Sequence, residues 1–352
     1  MGHNLSPRER VLNQLMGKPV DRPPCYNGMG NVTTAGIDQL GYRFAELHED
    51  AAKMAAAAAT SYKLFGYECA VVPFDFCVEA EALGCTMNTY EDVNHLLYPT
   101  IKEKAIHGQP DPAAIAIPED LVKRGRVPVV AEAIRLLKAD IGAEVAIGSY
   151  LLGPITLLGQ MMDLDKLFRL CFKEPDLVNS ILDKLTQVTV TLARHYREAG
   201  VDYVCIREMG ATTDVLSPKI FRKVIMPHLH KIFAAIDYPA ILHICGGTNT
   251  VVDQMAGAGA SAIAVEKKND VVKTRETIGS EPLVFGNLDT YDLLVNKKPE
   301  DVQQAVLESL DSGVDAVWSG CDIWPTASIE NLKAMVDTVR QYGAEKWRRQ
   351  RG

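Results

Sequence analysis

The feature that most constrains the fold of this 352-residue chain is a repeated alternation of short β-branched or aromatic runs with helical patterns. Strands joined by helices form a parallel sheet, because each connection has to cross back over the sheet. Eight is the number of strands that a (β/α)8 barrel needs. The sequence therefore predicts an α/β fold of that type, and its eight predicted strands are residues 22–28, 68–74, 144–150, 202–207, 240–244, 262–266, 283–287 and 316–319.

No long Gly/Ser or Pro linker divides the chain, which predicts a single barrel domain over residues 1–352. The stretch after the second predicted strand, residues 76–127, is longer than one helix with its loops and contains Pro110, Pro112 and Pro118. Long structured excursions of this kind often cover active sites. We therefore expect residues 76–127 to be an insertion that covers the mouth of the barrel.

The charge balance argues against nucleic acid and anionic membranes as partners. The chain has 37 Lys and Arg against 45 Asp and Glu, a formal net charge of −8, and contains no long basic run. The most apolar window, residues 146–162, is interrupted by polar residues and by Gly153 and Pro154, so it is not expected to span a bilayer. The polar start of the chain does not resemble a signal peptide, and a cytoplasmic location is expected.

The end of the fifth predicted strand carries the most informative motif. In an extended segment residues two apart point to the same side, so His243 and Cys245 can present an imidazole and a thiolate to one metal ion. Cys321 lies just past the end of the eighth predicted strand. Because the functional residues of such barrels gather at the C-terminal ends of strands, Cys321 can meet the other two. One His and two Cys suit zinc with a fourth position left open.

A different interpretation of these residues is that all three are ordinary buried side chains at strand ends. The other six cysteines are interpreted as small core residues: Cys25, Cys69, Cys77, Cys85, Cys171 and Cys205. If zinc is bound, thiolate-ligated zinc can hold an incoming thiol as its thiolate or polarise a leaving oxygen. Both roles belong to alkyl transfer.

The metal motifs resemble those of a known family. Residues 243–246 (His-Ile-Cys-Gly), 286–289 (Gly-Asn-Leu-Asp) and 320–322 (Gly-Cys-Asp) are together similar to the zinc-dependent corrinoid methyltransferases of the uroporphyrinogen decarboxylase superfamily. That group includes methylcobamide:coenzyme M methyltransferases and the methyltransferase I components of O-demethylases. The similarity extends to residues 19–24, 72–75, 79–85 and 216–218, and so covers nearly the whole chain.

The resemblance implies a (β/α)8 fold, zinc on His243, Cys245 and Cys321, and methyl exchange with the corrinoid of a separate protein. The chain has no Asp-x-His-x-x-Gly segment of the kind that supplies the lower cobalt ligand, so the corrinoid is expected on another chain. Decarboxylation of uroporphyrinogen is not expected. Residues 26–30 (Tyr-Asn-Gly-Met-Gly) replace the arginine-bearing segment that would bind its carboxylates.

Polar and sulfur-bearing residues near the predicted strand ends are candidates for the substrate pocket. These are Tyr26, Asn27, Met29, Asp75, Glu79, Tyr150, Met209, Glu266, Asn287 and Asp289. Glu208 is a candidate for the fourth zinc ligand or for a proton donor, with a salt bridge to Arg207 or Arg222 as the alternative.

The predicted function is a zinc methyltransferase that exchanges a methyl group between a small molecule and the cobalt of a corrinoid protein. Two departures from the coenzyme M enzymes, residues 207–210 (Arg-Glu-Met-Gly) and 27–30 (Asn-Gly-Met-Gly), favour demethylation of a donor such as a methyl ether. The first alternative is methyl transfer to a thiol such as coenzyme M. The others are a non-catalytic zinc or corrinoid accessory protein and a metal-independent decarboxylase or lyase.

Overall fold

A computed structural model describes residues 5–113 and 115–351. The strands of this part of the chain are β1 (Cys69–Val72), β2 (Thr86–Asn88), β3 (Thr100–Glu103), β4 (Ala146–Leu152), β5 (Tyr203–Arg207), β6 (Ala240–Ile244), β7 (Ala262–Val265), β8 (Leu283–Leu288) and β9 (Ala316–Ser319). Seven of them form one parallel sheet in the order β1-β4-β5-β6-β7-β8-β9, and β2 pairs antiparallel with β3. The predicted α/β fold with a parallel sheet is confirmed.

The helices that lie between and around these strands follow the predicted alternation. They are α1 (Pro7–Leu15), α2 (Thr34–Leu40), α3 (Glu46–Glu49), α4 (Ala51–Phe65), α5 (Val78–Ala82), α6 (Val127–Asp140), α7 (Pro154–Met161), α8 (Leu164–Lys173), α9 (Pro175–Ala199), α10 (Pro218–Ile220), α11 (Met226–Ala235), α12 (Val252–Ala256), α13 (Val271–Ile278), α14 (Pro299–Ser312) and α15 (Ile329–Arg351). Short 3-10 turns occupy Leu121–Lys123 and Met209–Ala211, and a π-helical turn occupies Phe221–Ile225. None of the helices in the described residues is long and apolar enough to cross a bilayer.

The first predicted strand, residues 22–28, is wrong as a strand. Cys25 alone forms an isolated parallel bridge, with Val317 of β9. The reason is that Pro23 and Pro24 have no amide hydrogen to donate to a ladder. The Cys25 carbonyl also accepts a hydrogen bond of 2.9 Å from the amide of Glu68, next to β1. Cys25 therefore touches both edges of the seven-stranded sheet without making it a closed eight-stranded ladder.

The inside of the curled sheet is filled by aromatic rings. Tyr26 packs edge-on against Tyr203, Phe285 and Trp318, with ring centroids 5.3–5.7 Å apart, and all four side chains are fully buried. The sheet residues are buried on both faces, as expected when helices cover the outside of a parallel sheet. The interior is thus a packed core, and polar side chains collect where the strands end.

The excursion over residues 76–127 holds α5, the β2–β3 hairpin and the turn at Leu121–Lys123. The Asp75 carboxylate is buried beside it and accepts hydrogen bonds of 2.7 and 3.0 Å from the guanidinium of Arg126. His48 lies 3.0 Å from the same carboxylate. These contacts join the two ends of the excursion to α3, which fixes its position relative to the sheet.

Candidate metal centre

The fifth predicted strand is β6, and its end brings together the metal motif. His243 Nε2 lies 3.0 Å from Cys245 Sγ, and Cys245 Sγ lies 3.4 Å from Cys321 Sγ. The three ligand atoms all lie within 4.8 Å of one another. Ligands of one tetrahedral zinc ion are separated by about 3.3–3.8 Å, given its bond lengths. These residues therefore fit a single divalent ion in spacing and in chemistry.

The protonation pattern of the cluster favours metal binding. His243 Nδ1 lies 3.2 Å from the carbonyl of Ala264, so a proton on Nδ1 donates to that carbonyl and leaves the Nε2 lone pair toward the sulfurs. The hydrogen bond from Cys321 lowers the pKa of the Cys245 thiol, while the same contact raises the pKa of Cys321. The two sulfurs thus share a proton that an incoming cation would displace.

Arg207, at the end of β5, is the charged group next to the sulfurs. Its guanidinium donates two hydrogen bonds, of 2.8 and 2.7 Å, to the carboxylate of Asp322 and one of 3.5 Å to Cys321 Sγ. Burial alone would lower the pKa of Arg207, but Asp322 and Cys321 hold it well above its ordinary value. A permanent positive charge therefore lies against the proposed thiolate ligands.

Glu208 does not join the cluster. Its two carboxylate oxygens accept hydrogen bonds from the amides of Ile155 and Thr156, at 3.3 and 2.8 Å, and from the Thr156 hydroxyl at 2.6 Å. Burial raises the pKa of Glu208 to about 7, although these hydrogen bonds oppose the shift. The carboxylate thus caps the start of α7, an anion position at a helix N-terminus. The Glu208 amide donates to the His243 carbonyl at 2.9 Å, which links this cap to β6.

Two of the predicted pocket residues contact the neighbourhood of the cluster. Glu266 accepts a hydrogen bond of 3.1 Å from the amide of Gly246, immediately after Cys245. The Tyr150 ring lies under the Arg207 guanidinium, 5.0 Å from centroid to carbon. The Tyr150 hydroxyl donates to the Asp75 carbonyl at 2.9 Å.

The side chains of the other predicted pocket residues pack in the core or form hydrogen bonds with residues outside the metal cluster. Tyr26 belongs to the aromatic core, Met29 is fully buried, and Met209 packs against the core. Asn27 hydrogen-bonds Asn31 and Ser319, while Asn287 donates to the Asn269 carbonyl. Asp289 caps the turn at residues 291–292, Glu79 accepts from the Leu152 amide, and Asp75 pairs with Arg126.

A cavity of about 440 Å³ lies beside Cys321. None of its lining residues is among the individually predicted pocket residues, although several belong to residues 76–127, which were predicted to cover the mouth. Its walls are mainly aromatic and apolar. The lining residues are Phe74, Phe76, Cys77, Tyr98, Pro99, Thr100, Ile101, Gln160, Thr290, Cys321, Asp322, Trp324 and Pro325. Two features of the sequence could have indicated this cavity. Asp322 is adjacent to the candidate ligand Cys321, and the aromatic residue Trp324 follows two positions later.

The family of the chain follows from its length-wide similarity to known proteins. The uroporphyrinogen decarboxylase (URO-D) family model matches residues 6–342. The chain belongs to the URO-D family. Within it, the methylcobamide:CoM methyltransferase MtaA of Methanosarcina barkeri is 30% identical over 345 residues, with 96% of this chain and 98% of that protein covered. A methylated-thiol–coenzyme M methyltransferase of Methanosarcina mazei is 27% identical, with coverages of 97% and 91%.

Solved structures of related proteins agree with this placement. A methyltransferase from Methanosarcina mazei superposes with a TM-score of 0.90 at 29% identity, covering 96% of this chain and 99% of that one. A B12-independent methionine synthase from Shewanella shares the fold, with a TM-score of 0.58 at 12% identity. By sequence alone, a uroporphyrinogen decarboxylase of Thermus thermophilus is 23% identical, with coverages of 95% of this chain and 98% of that protein. The predicted kinship of this URO-D family member with corrinoid methyltransferases is confirmed.

Proposed function

We propose that this URO-D family member is a zinc-dependent methyltransferase that exchanges a methyl group between a small molecule and the cobalt of a separate corrinoid protein. The observation that carries the proposal is the convergence of His243, Cys245 and Cys321 beside an open cavity. A zinc ion on these residues would supply Lewis-acid chemistry and would hold a heteroatom of the reactant. The methyltransferase names of the relatives support the reaction class.

The residues of the chain have distinct parts in this proposal. His243 is oriented by the Ala264 carbonyl, so its Nε2 faces the ligand position. Asp322 and the aromatic wall of the cavity bind and orient the small molecule next to Cys321. The apolar wall also excludes water, which strengthens the electrostatic interactions at the reacting atoms.

The lining of the cavity supports demethylation of an uncharged donor such as a methyl ether. Among its described lining residues Asp322 is the carboxylate, and none is Lys or Arg. Coenzyme M carries a sulfonate, and anions of that kind are normally bound by a guanidinium, an ammonium or backbone amides. The nearby guanidinium of Arg207 is already paired with Asp322, so an anionic thiol would find no lining cation to bind its sulfonate.

Methyl transfer to coenzyme M is the second candidate, because the relatives with 30% identity are methylcobamide:CoM methyltransferases. In that direction the same three residues would hold the thiol sulfur. The two candidates need the same metal centre and differ in the second reactant.

We further propose that residues 76–127 cover the mouth of a single barrel domain over residues 1–352, in which the segment at Cys25 fills the gap between β9 and β1. Support comes from Tyr98 and Ile101, which line the cavity from the β2–β3 hairpin side. Cys25 supports the barrel by contacting both sheet edges. The corrinoid would then approach over the open side of this mouth.

Absorbance of a free corrinoid tests the proposal. The purified protein is mixed with Co(I) corrinoid and a methyl ether, and separately with methyl-Co(III) corrinoid and coenzyme M, with Cys245→Ala as the control. Conversion of Co(I) to methyl-Co(III) with the ether alone is expected. Reaction with coenzyme M alone would reverse the direction. No change in either mixture, with stoichiometric zinc present, would contradict the methyltransferase.

A further inference from the structure

Arg207 is a buried cation that donates a hydrogen bond to one of the two sulfurs in the cluster, Cys321, and not to the other. The side chain is fully buried, and its Nη2 donates to Cys321 Sγ at 3.5 Å. The hydrogen bonds of Cys245 are instead to His243 and Cys321. Cys321 therefore has a guanidinium donor that Cys245 lacks.

The guanidinium is held rigidly in this position. Asp322 accepts from both Nη atoms, which is the bidentate geometry that fixes an arginine fork. The Arg207 Cζ lies 4.4 Å from the Phe76 ring centroid and 5.0 Å from that of Tyr150, and these two centroids are 5.8 Å apart. The two neighbouring rings and the bidentate ion pair leave the N–H to Cys321 little freedom to turn away.

We infer that Arg207 is a positioning residue that keeps Cys321 a ligand and prevents it from becoming a methyl acceptor. This inference rests on the proposed function. A thiolate beside a methyl donor is itself a nucleophile. If it attacked, an S–C bond would form while the bond from carbon to the leaving heteroatom breaks, and that heteroatom would depart with the electron pair. Cys321 would become a neutral thioether and would lose its value as a ligand.

An N–H donor opposes this side reaction, because it withdraws electron density from the sulfur lone pairs that would form the new bond. Unwanted methylation is more of a risk for Cys321 than for Cys245, since Cys321 is the sulfur that lines the reactant cavity. Asp322 contributes by holding the guanidinium, and Phe76 extends the arrangement into the cavity wall. The arrangement thus selects the incoming reactant, and not the ligand, as the partner in methyl exchange.

Iodoacetamide alkylation tests the inference, with the two cysteines quantified separately by peptide mass spectrometry. Cys245 is the internal reference in the same molecule. The protein is zinc-loaded for this measurement, so that both sulfurs are thiolates and the comparison does not depend on their protonation. In Arg207→Met the rate at Cys321 relative to Cys245 is expected to rise roughly tenfold, because one charge-assisted hydrogen bond to the sulfur is lost. The double variant Arg207→Met/Asp322→Asn removes both charges together, leaves no unpaired carboxylate and is expected to show the same rise.

An unchanged ratio in a folded variant would overturn the inference. Cobalt(II) substitution gives an independent readout, because losing the donor should move the sulfur-to-cobalt charge-transfer band to longer wavelength. A role in packing alone would lower stability without moving the band. Absence of stoichiometric metal from the wild-type protein would instead contradict the proposed function. Zinc content is measured separately from the alkylation ratio, so the two failures are distinguishable.

Discussion

At the scale of single residues, His243, Cys245 and Cys321 bring one imidazole nitrogen and two sulfurs within 4.8 Å of one another at one end of the sheet. His243 and Cys245 were predictable because a strand places residues two apart on one side. Cys321 was predictable because strand ends of a parallel barrel meet at one edge. The polar candidates at other strand ends were less informative, since residues such as Asp75 and Asn27 are consumed by hydrogen bonds that depend on packing.

Replacing one ligand tests the cluster directly. In Cys245→Ala one of the two sulfurs is lost, so zinc content should fall well below one per chain and methyl transfer should be lost. Cys171→Ala is the matched control, because that thiol is buried on α8 away from the cluster. Metal analysis and the corrinoid assay are the measurements. Full zinc content in Cys245→Ala would refute the site.

Glu79 should make the stability of the fold depend on pH. Burial raises its pKa from 4.5 to about 7. The folded state therefore holds the proton more tightly than the unfolded state, and stability falls as pH rises from about 4.5 to 7. In Glu79→Gln this part of the slope should vanish, so its unfolding free energy relative to wild type should rise by about 3 kcal/mol between pH 4.5 and 8.

Urea unfolding at several pH values measures this effect. Glu132→Gln, on an exposed face of α6, is the control and should follow the wild-type profile. Parallel pH profiles for Glu79→Gln and wild type would show that Glu79 is ionised in the folded protein throughout this range.

At the scale of elements, the order of strands and helices was predictable and their terminations were less so. The predicted limits of β6 and β9 agree with the structure, because in both cases a largely apolar run is followed within two residues by a glycine. The strand predicted at residues 22–28 is wrong because its two prolines cannot donate backbone hydrogen bonds to a neighbouring strand, whatever the apolar pattern. The cavity wall supplied by the β2–β3 hairpin could not be predicted, since which loop covers a strand end depends on long-range packing.

The start of α7 depends on the absence of a side chain at Gly153. A Cβ there would lie 2.2 Å from Oε2 of Glu208, whose carboxylate caps the helix. Gly153→Ala should therefore destabilise the protein by about 1–3 kcal/mol, the usual cost of overpacking. Gly257→Ala is the control, because its nearest atoms are 3.5 Å away. Equal unfolding midpoints for the two variants would show that a Cβ at position 153 does not clash with Glu208.

At the scale of the whole molecule, Glu68 ties the beginning of the chain to the sheet. Its buried carboxylate accepts hydrogen bonds from Arg10, from Arg22 and from the amide of Cys25, the last at 2.7 Å. The sequence predicted a strand here but not this junction. Two cations and a backbone amide converge on one carboxylate only when the segment before β1 is folded against it.

Glu68→Gln should therefore lower the unfolding free energy by about 3–5 kcal/mol, because the largely buried Arg22 guanidinium loses this counter-charge and the buried Arg10 guanidinium loses one of its two, keeping its pair with Asp21. The exposed pair of Lys63 and Asp140 gives the control, and Asp140→Asn should cost less than about 1 kcal/mol. Denaturant unfolding of the three proteins is the measurement. A cost for Glu68→Gln as small as that of the control would show that the junction contributes little.

The ligand cluster also sets a condition on synthesis. His243 lies in β6 and Cys245 directly follows that strand, whereas Cys321 follows β9, three strands further along the sheet. A nascent chain that has not emerged beyond residue 320 possesses only two of the three donors. If the cluster binds zinc as proposed, tight binding requires a chain that has been made past residue 321, so chains that stop before β9 would not hold the ion tightly.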